Sequence, residues 1–317
     1  MYYTDINRLN ICGRYSMKSS VKVEEILSNY SYDNPSVIGN LRKMFMQGKL
    51  SGTGKLVILP VDQGCEHGPD VSFMMNTDAY DPEYHIKFAL EAGFSAYAAP
   101  LGMLENVSHK YAGLIPMILK INSSSLLFPS DIEPTQVLTA SVDDALRLGC
   151  SAIGLTLYPG SSEYITIIDD VRDMNAEAKS KGLAVIIWTY PRGGDLEKKD
   201  ETALDIICYG VHLSCALGAH IIKVKPPTNY VKSGLTLDYG DISALSERVR
   251  IVKRAAFNGK RIVIFSGGTN KSEEHLYSEI QSIKDGGGDG SIVGRNIFQR
   301  KNEEAHIVAE TILHIYS

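Results

Sequence analysis

Eight short runs of apolar, mostly β-branched residues recur along the chain, and their spacing constrains the fold more than any other feature. They lie at Lys55–Asp62, Ser95–Pro100, Pro116–Asn122, Ala152–Tyr158, Leu183–Tyr190, Ala219–Lys225, Arg261–Ser266 and Ser291–Gly294. Each interval leaves room for the helix that a connection between parallel strands needs. The alternation predicts an α/β fold, a closed (β/α)8 TIM barrel, with a doubly wound open sheet as the alternative.

The first 50 residues have a different composition, rich in Tyr, Ser and Asn. Within them only Ser36–Gln47 carries apolar residues at helical spacing. We therefore predict an N-terminal helical extension over residues 1–50, packed on the barrel or on a neighbouring subunit. Residues 51–317 are predicted to form the barrel itself.

Composition excludes several classes of protein. Among the 317 residues, 44% are hydrophobic and 22% are charged, which is typical of a folded globular chain. The net charge of −5 argues against nucleic acid as the main partner. The N-terminus lacks the basic and apolar regions of a signal peptide, and the apolar runs are too short to span a membrane. Five scattered cysteines favour reduced thiols. We expect a cytoplasmic protein.

Ligands of (β/α)8 barrels bind where the strands end and the βα loops begin. Unusual polar residues of this sequence gather at those positions: Asp62, Lys120, Asn122, Tyr158, Trp188, Tyr190, Lys223, Lys225, Ser266 and Arg295. The pattern predicts a site at the carboxyl ends of the strands.

The sixth run, GAHIIKVKPP, contains two lysines. Alternation puts Lys223 and Lys225 on one face of the strand, and Ile222 and Val224 on the face that meets the helices. Burial lowers the pKa of a lysine, and a neutral amine can attack a carbonyl and form a Schiff base. Because both lysines lie on the same face, the alternation alone does not decide which of them is the nucleophile.

The fifth run, LAVIIWTYPRGG, places Trp188 and Tyr190 on one face. Trp188 could simply fill the core, whereas Tyr190, at the end of the strand, is better placed to transfer a proton. Arg192 has the planar donor geometry that binds anions.

The first run ends in LPVDQGCEHG, with Asp62 at its tip. A carboxylate there can orient substrate hydroxyls or accept a proton. The loop holds a single histidine, His67, and lacks the helical histidine pair of a zinc site. We therefore predict no metal.

The seventh and eighth runs end in FSGGTN and IVGRN. Glycines after a barrel strand let backbone amides approach an anion, and loops at these two positions often bind phosphate. The predicted phosphate site comprises Ser266, Gly267, Gly268, Gly294 and Arg295.

From about Gly52 to Arg300 the sequence resembles the archaeal-type class I fructose-bisphosphate aldolases, a family also found in bacteria. The segments that carry the resemblance are LPVDQGCEHGP, WTYPRGG, GAHIIKVK, SGGTN and GRNIF, in the order of the family. The resemblance implies a (β/α)8 barrel that cleaves fructose 1,6-bisphosphate in glycolysis and gluconeogenesis. It implies a Schiff base on a lysine of the sixth strand, without metal or cofactor.

The resemblance also implies a role for each matching residue. Lys223, rather than Lys225, forms the Schiff base; Tyr190 transfers a proton; and Asp62 assists in acid–base chemistry. Trp188 is implied to line the active site. His67 and Arg192 are implied to contact the distal part of the sugar phosphate, and the phosphate site defined above is implied to bind the phosphate of the dihydroxyacetone half. The roles of Lys120 and Lys225 stay open.

Two departures from the family bear on these roles. Gln63 stands where many archaeal members have His, next to the distal contacts. The N-terminal extension resembles that of longer bacterial members, and the family commonly forms large homo-oligomers.

Two alternatives remain at this stage. Schiff-base enzymes of the same superfamily, a transaldol synthase for aromatic precursors or a thiolase acting on a phosphorylated diketone, would keep both phosphate loops. A barrel that binds a sugar phosphate without catalysis belongs to a different class, but binding alone does not require a desolvated amine.

Overall fold

The barrel consists of eight parallel strands that close on themselves. The computed structural model describes residues 20–62, 66, 68–125, 127, 131–233, 239–268 and 271–317. Its barrel strands are β1 (Leu56–Pro60), β2 (Ala96–Pro100), β3 (Met117–Lys120), β4 (Ala152–Leu157), β5 (Ala184–Thr189), β6 (Ile221–Val224), β7 (Ile262–Ser266) and β8 (Gly290–Ile292). β8 pairs with β1, with Leu56 opposite Gly290. The barrel prediction is confirmed, and the open-sheet alternative is wrong.

Helices cover the outside of the barrel and its amino-terminal end. They are α1 (Val21–Ser28), α2 (Pro35–Phe45), α3 (Pro69–Phe73), α4 (Pro82–Ala92), α5 (Leu101–Tyr111), α6 (Val142–Arg147), α7 (Tyr164–Ser180), α8 (Leu204–Ala216), α9 (Leu245–Ala255), α10 (Glu273–Asp285), α11 (Arg295–Phe298) and α12 (Asn302–Tyr316). Single 3-10 turns lie at Gly48–Leu50, Thr77–Tyr80 and Asp200–Thr202. A small antiparallel pair, Asn122–Ser123 with Val137–Leu138, folds the segment after β3 back on itself.

Side-chain alternation along the strands separates two apolar layers. On β6, Ile222 and Val224 pack in the cluster between strands and helices, as predicted. Ile221 instead belongs to a second cluster, which fills the barrel interior together with Ile186 and Trp188 of β5. Because Lys223 has the same parity as Ile221, its side chain shares the inner face of the barrel.

The N-terminal helices close the amino-terminal end of the barrel. Val23 and Leu27 of α1 and Leu41 of α2 belong to the same apolar cluster as the interior residues at the starts of the strands. The Tyr30 hydroxyl donates to the His220 carbonyl at 2.7 Å and accepts from the Ile262 amide at 3.2 Å. The predicted helix near residues 36–47 is present as α2, whereas α1 was not predicted. No helix in the described ranges is long and apolar enough to cross a membrane.

Candidate active site

Lys223 lies on the inner face of β6, close to its carboxyl end. Its side chain is buried, with 5% of the residue exposed. The Nζ atom lies 5.2 Å from the centre of the Trp188 ring and 5.4 Å from the centre of the Tyr190 ring. The amine therefore rests among aromatic faces rather than in bulk water.

This environment favours the neutral amine. Burial lowers the pKa of Lys223 from its ordinary 10.5 to about 8. The carboxylates of Asp62 and Glu66 oppose this shift, while the positive charges of Lys120 and Arg295 add to it. With a pKa of about 8, roughly a tenth of the molecules carry the neutral amine at pH 7, whereas an ordinary lysine would have well under a thousandth. The site thus supplies a nucleophile at neutral pH.

Tyr190 follows the last residue of β5, and its backbone amide donates to the Leu157 carbonyl at 2.9 Å. Burial, together with the negative charges of Asp62 and Glu66, raises the pKa of the phenol well above its usual value. The hydroxyl is therefore protonated at neutral pH. It can donate a proton beside the amine.

Trp188 forms the floor beneath Lys223, and a glycine on the neighbouring strand makes room for it. The indole is 1% exposed. A Cβ atom at Gly154 of β4 would lie 1.8 Å from the indole Cζ3. Only a residue without a side chain allows the indole to lie flat across the barrel at this point, so Gly154 fixes the surface on which the amine rests.

A second buried lysine, Lys120 at the end of β3, faces the same ring from 5.9 Å. Its Nζ atom donates to the carbonyl oxygen of Asn122 and, at 3.1 Å, to the Oδ1 of that residue. Glu66 Oε1 lies 3.8 Å away, an ion-pair distance. Asn122 in turn bridges to β4 through the Thr156 amide and carbonyl. Lys120 is thus held rigidly, and it contributes to the low pKa of Lys223.

Replacing Lys120 by methionine should raise the pKa of Lys223, because it removes a positive charge and leaves the Glu66 carboxylate uncompensated. We expect the pH midpoint for trapping a carbonyl ligand with borohydride, as a Schiff base on Lys223, to move upward. The trapping rate at pH 7 should fall about three- to tenfold. Trapping rates measured across pH test this. Lys225→Met is the matched control, because Lys225 pairs with Glu201 at 2.7 Å. An unchanged midpoint in Lys120→Met would contradict the expectation.

Asp62 and the two glycine loops lie around the same barrel mouth. Asp62 is partly buried just after β1. Ser266, the last residue of β7, is 8% exposed, and Gly268 has a φ of +69°. Gly294 precedes α11, and a Cβ atom there would lie 2.7 Å from the Pro60 carbonyl oxygen. The loop after β8 therefore passes directly beside the end of β1.

Asn296 joins the loops that follow β7 and β8. It is fully buried, its amide donates to the Gly267 carbonyl at 3.1 Å, and its Oδ1 accepts from the Lys271 amide at 2.9 Å. Arg295, next to it, is close enough to lower the pKa of Lys223. The predicted phosphate loops are thus brought together as one rigid, positively charged unit beside the amine.

Arg192 follows β5, two strands away from β7 in the barrel order. Its guanidinium stacks over the Tyr158 ring at 4.8 Å and lies 5.9 Å from the centre of the Tyr190 ring. Lys225 is also near Tyr190, with its Nζ atom 5.8 Å from the ring centre. The remaining predicted contact in this region, His67, lies outside the described residues. No group of three His, Cys, Asp or Glu side chains among the described residues has the arrangement of a metal site.

Comparison with known proteins identifies the family. The model of the DeoC/LacD family of aldolases matches residues 56–300. The chain belongs to this family. Its catalytic lysine candidate, its glycine loops and its closed barrel all fall within the matched span.

Individual relatives confirm the resemblance to class I fructose-bisphosphate aldolases. The class 1 fructose-bisphosphate aldolase of Thermoproteus tenax is 34% identical over 266 residues, covering 84% of this chain and 91% of the relative. A probable class 1 fructose-bisphosphate aldolase of Chlamydia trachomatis is 35% identical over 300 residues, covering 89% and 85%. The second match extends further along the chain than the archaeal one.

A solved archaeal structure matches at the level of the fold. It is a fructose-1,6-bisphosphate aldolase whose catalytic Lys is covalently bound to the carbinolamine intermediate of the substrate. The TM-score is 0.73 with 32% sequence identity, and the match covers 87% of this chain and 99% of that one.

Sequence reasoning missed several members of the site. It noted Lys120 at a strand end without giving it a role, and it did not single out Glu66 or Gly154. For Lys120 a signal existed, since a lysine ending an apolar strand is rarely buried without a partner. Gly154 carried no such signal, because a glycine inside a strand has many explanations.

Proposed function

We propose that the protein is a class I fructose-bisphosphate aldolase, which reversibly cleaves fructose 1,6-bisphosphate to dihydroxyacetone phosphate and glyceraldehyde 3-phosphate. The observation that carries this proposal is the buried Lys223 amine, with its pKa of about 8, between Trp188 and the protonated phenol of Tyr190. The names of the relatives support the choice of substrate.

In the proposed mechanism the Lys223 amine attacks the C2 carbonyl of the ketose, and loss of water from the carbinolamine gives a protonated imine. The imine withdraws the electron pair of the C3–C4 bond while Asp62 accepts the proton of the C4 hydroxyl. Glyceraldehyde 3-phosphate leaves and an enamine remains. Tyr190 then protonates the enamine at C3, and water hydrolyses the imine to free the lysine.

The aromatic floor supports the cationic step. The face of the Trp188 indole lies 5.2 Å from the Lys223 nitrogen and attracts the positive charge of the imine. This attraction is stronger in the desolvated site than it would be for an ammonium group surrounded by water. Burial and, to a smaller extent, Lys120 lower the pKa of the free amine and so raise its neutral fraction before the attack, while Glu66 and Asp62 provide negative charge when the imine forms. The same groups therefore serve both charge states of the nitrogen.

The two phosphates of the substrate are assigned to the two sides of Lys223. Ser266, Gly267, Gly268, Gly294 and Arg295 bind the phosphate of the dihydroxyacetone half. His67 and Arg192 bind the distal one. In the barrel order, β6 lies between β7 and β5, so a ligand that reaches from the glycine loops to Arg192, which follows β5, passes over Lys223 on β6.

The proposed reaction needs no metal or cofactor, because the protonated imine withdraws electrons as a Lewis acid would. We expect the coupled assay for triose phosphate to give the same rate, within about twofold, with and without a chelator. Borohydride with dihydroxyacetone phosphate should attach the reduced adduct to the peptide that contains Lys223. Loss of activity in chelator, restored by zinc, or the absence of an adduct would overturn the proposal.

We infer that the enzyme works in the cytoplasm as a homo-oligomer. The proposed substrate is a metabolite of glycolysis and gluconeogenesis. Three described cysteines, Cys150, Cys208 and Cys215, are free thiols, which suits a reducing compartment.

A further inference from the structure

Among the buried side-chain atoms that lack a hydrogen-bond partner within the described residues, two flank the Tyr158 ring near the mouth of the barrel. Gln136, which precedes the strand Val137–Leu138, is 5% exposed. Its Nε2 donates to the Tyr158 hydroxyl at 2.7 Å, while its Oε1 has no partner among the described residues. Turning the amide over would let Oε1 accept from Tyr158 and would leave Nε2 unpaired instead. Either orientation thus presents one polar group that lacks a partner.

The second such atom is Nε of Arg192, likewise buried and unpaired within the described part of the chain. The Arg192 guanidinium stacks on the same Tyr158 ring whose hydroxyl meets Gln136. An acceptor and a donor therefore flank one phenol. Buried polar groups are usually paired in native proteins, so an unpaired acceptor and an unpaired donor that flank one phenol at the barrel mouth point to a ligand there.

The segment that carries Gln136 is fixed in place by loops from two other strands. The Glu133 carboxylate accepts from the Gly194 amide at 3.1 Å and from the Ser162 amide at 3.2 Å. The Ser161 hydroxyl donates to the Pro134 carbonyl at 2.6 Å. The position of Gln136 is therefore fixed by contacts of its segment with the loops after β4 and β5.

We propose that Gln136 is a specificity-determining residue for the aldehyde half of the substrate, in a role that rests on the proposed function. Its amide binds the hydroxyl on C5 of the ketose, which is the 2-hydroxyl of glyceraldehyde 3-phosphate. Arg192 binds the phosphate one carbon further along. A hydroxyl suits either orientation of the amide, because it both donates and accepts.

The geometry supports this placement in the aldehyde half. Gln136, Tyr158 and Arg192 follow β3, β4 and β5, on the side of the mouth away from the glycine loops after β7 and β8. Tyr190 lies between Arg192, 5.9 Å from its ring centre, and the Lys223 amine, 5.4 Å from it. Groups of the ligand that reach Gln136 therefore lie beyond the bond that breaks.

The test uses condensation of dihydroxyacetone phosphate with either glyceraldehyde 3-phosphate or 3-oxopropyl phosphate, which lacks the 2-hydroxyl. We expect wild-type kcat/KM to fall about tenfold or more without the hydroxyl. In Gln136→Met the preference should shrink to about twofold or less, through loss of activity with glyceraldehyde 3-phosphate. Tyr158→Phe, which keeps the ring beneath Arg192 but frees the amide, should reduce the preference in part.

Borohydride trapping with dihydroxyacetone phosphate alone separates this inference from the proposed function. It should proceed in Gln136→Met at a rate within about twofold of wild type, because that half of the substrate does not reach Gln136. Gln281→Leu, on the exposed face of α10, is the surface control. A wild-type preference retained in both Gln136→Met and Tyr158→Phe would overturn the role of Gln136. Failure of wild-type trapping would overturn the aldolase proposal instead.

Discussion

Lys223→Met should abolish borohydride trapping of dihydroxyacetone phosphate and lower kcat for fructose 1,6-bisphosphate cleavage by about 10⁴-fold or more. The reason is that the proposed mechanism passes through a covalent bond to this nitrogen, and the protonated imine on it is the electron sink of that mechanism. Methionine matches the length of the lysine stem, so it fills the space above Trp188 without a charge. Steady-state cleavage rates and mass analysis of the borohydride-treated protein provide the two measurements.

The control for this variant is Lys225→Met, two residues further along the chain and just past the end of β6. Lys225 is partly buried and pairs with Glu201, outside the aromatic floor of Trp188. The Lys225→Met variant should retain trapping on the peptide that contains Lys223.

The melting temperature of Lys223→Met should equal or exceed that of the wild type. The substitution removes a buried amine whose charged form is unfavourable, as its lowered pKa shows. Trapping that persists in Lys223→Met would show that another residue is the nucleophile.

The barrel could be predicted because each of its strands has a recognisable local pattern in the sequence. A parallel strand covered on both faces needs an apolar run, and eight such runs were visible at the right spacing. The same alternation placed Lys223 inside and Ile222 outside, which the apolar clusters bear out. By contrast, α1 has only eight residues and two buried positions, Val23 and Leu27, so its periodic signal is weak.

Contacts between loops that follow different strands could not be predicted from the sequence. Glu66 follows β1 and Lys120 ends β3, and they meet only because the barrel brings those strands together. Gln136 reaches Tyr158 because of the small antiparallel pair after β3, whose register no local pattern specifies. The roles assigned to the predicted site residues stay predictions, and His67 lies outside the described part of the chain.

Tyr190→Phe should lower kcat for cleavage by about 10² to 10⁴-fold while leaving the Schiff base intact. The phenol is assigned as the donor that protonates the enamine at C3, and burial with two nearby carboxylates keeps it protonated at neutral pH. Phenylalanine removes only the hydroxyl and keeps the ring beside Lys223. The imine with dihydroxyacetone phosphate should therefore still form and still be trapped by borohydride.

The decisive measurement for Tyr190 is exchange of the C3 hydrogen of dihydroxyacetone phosphate in D2O, followed by NMR, because exchange requires proton transfer but no C–C cleavage. It should fall in parallel with kcat. Tyr97→Phe is the matched control: Tyr97 on β2 is fully buried in the layer between strands and helices, and its hydroxyl has no hydrogen-bond partner among the described residues. That variant should exchange and cleave as the wild type does. Exchange at the wild-type rate in Tyr190→Phe would move the proton transfer to another group. The Asp62 and Glu66 carboxylates are the candidates, since both act on the pKa of Lys223 and of Tyr190.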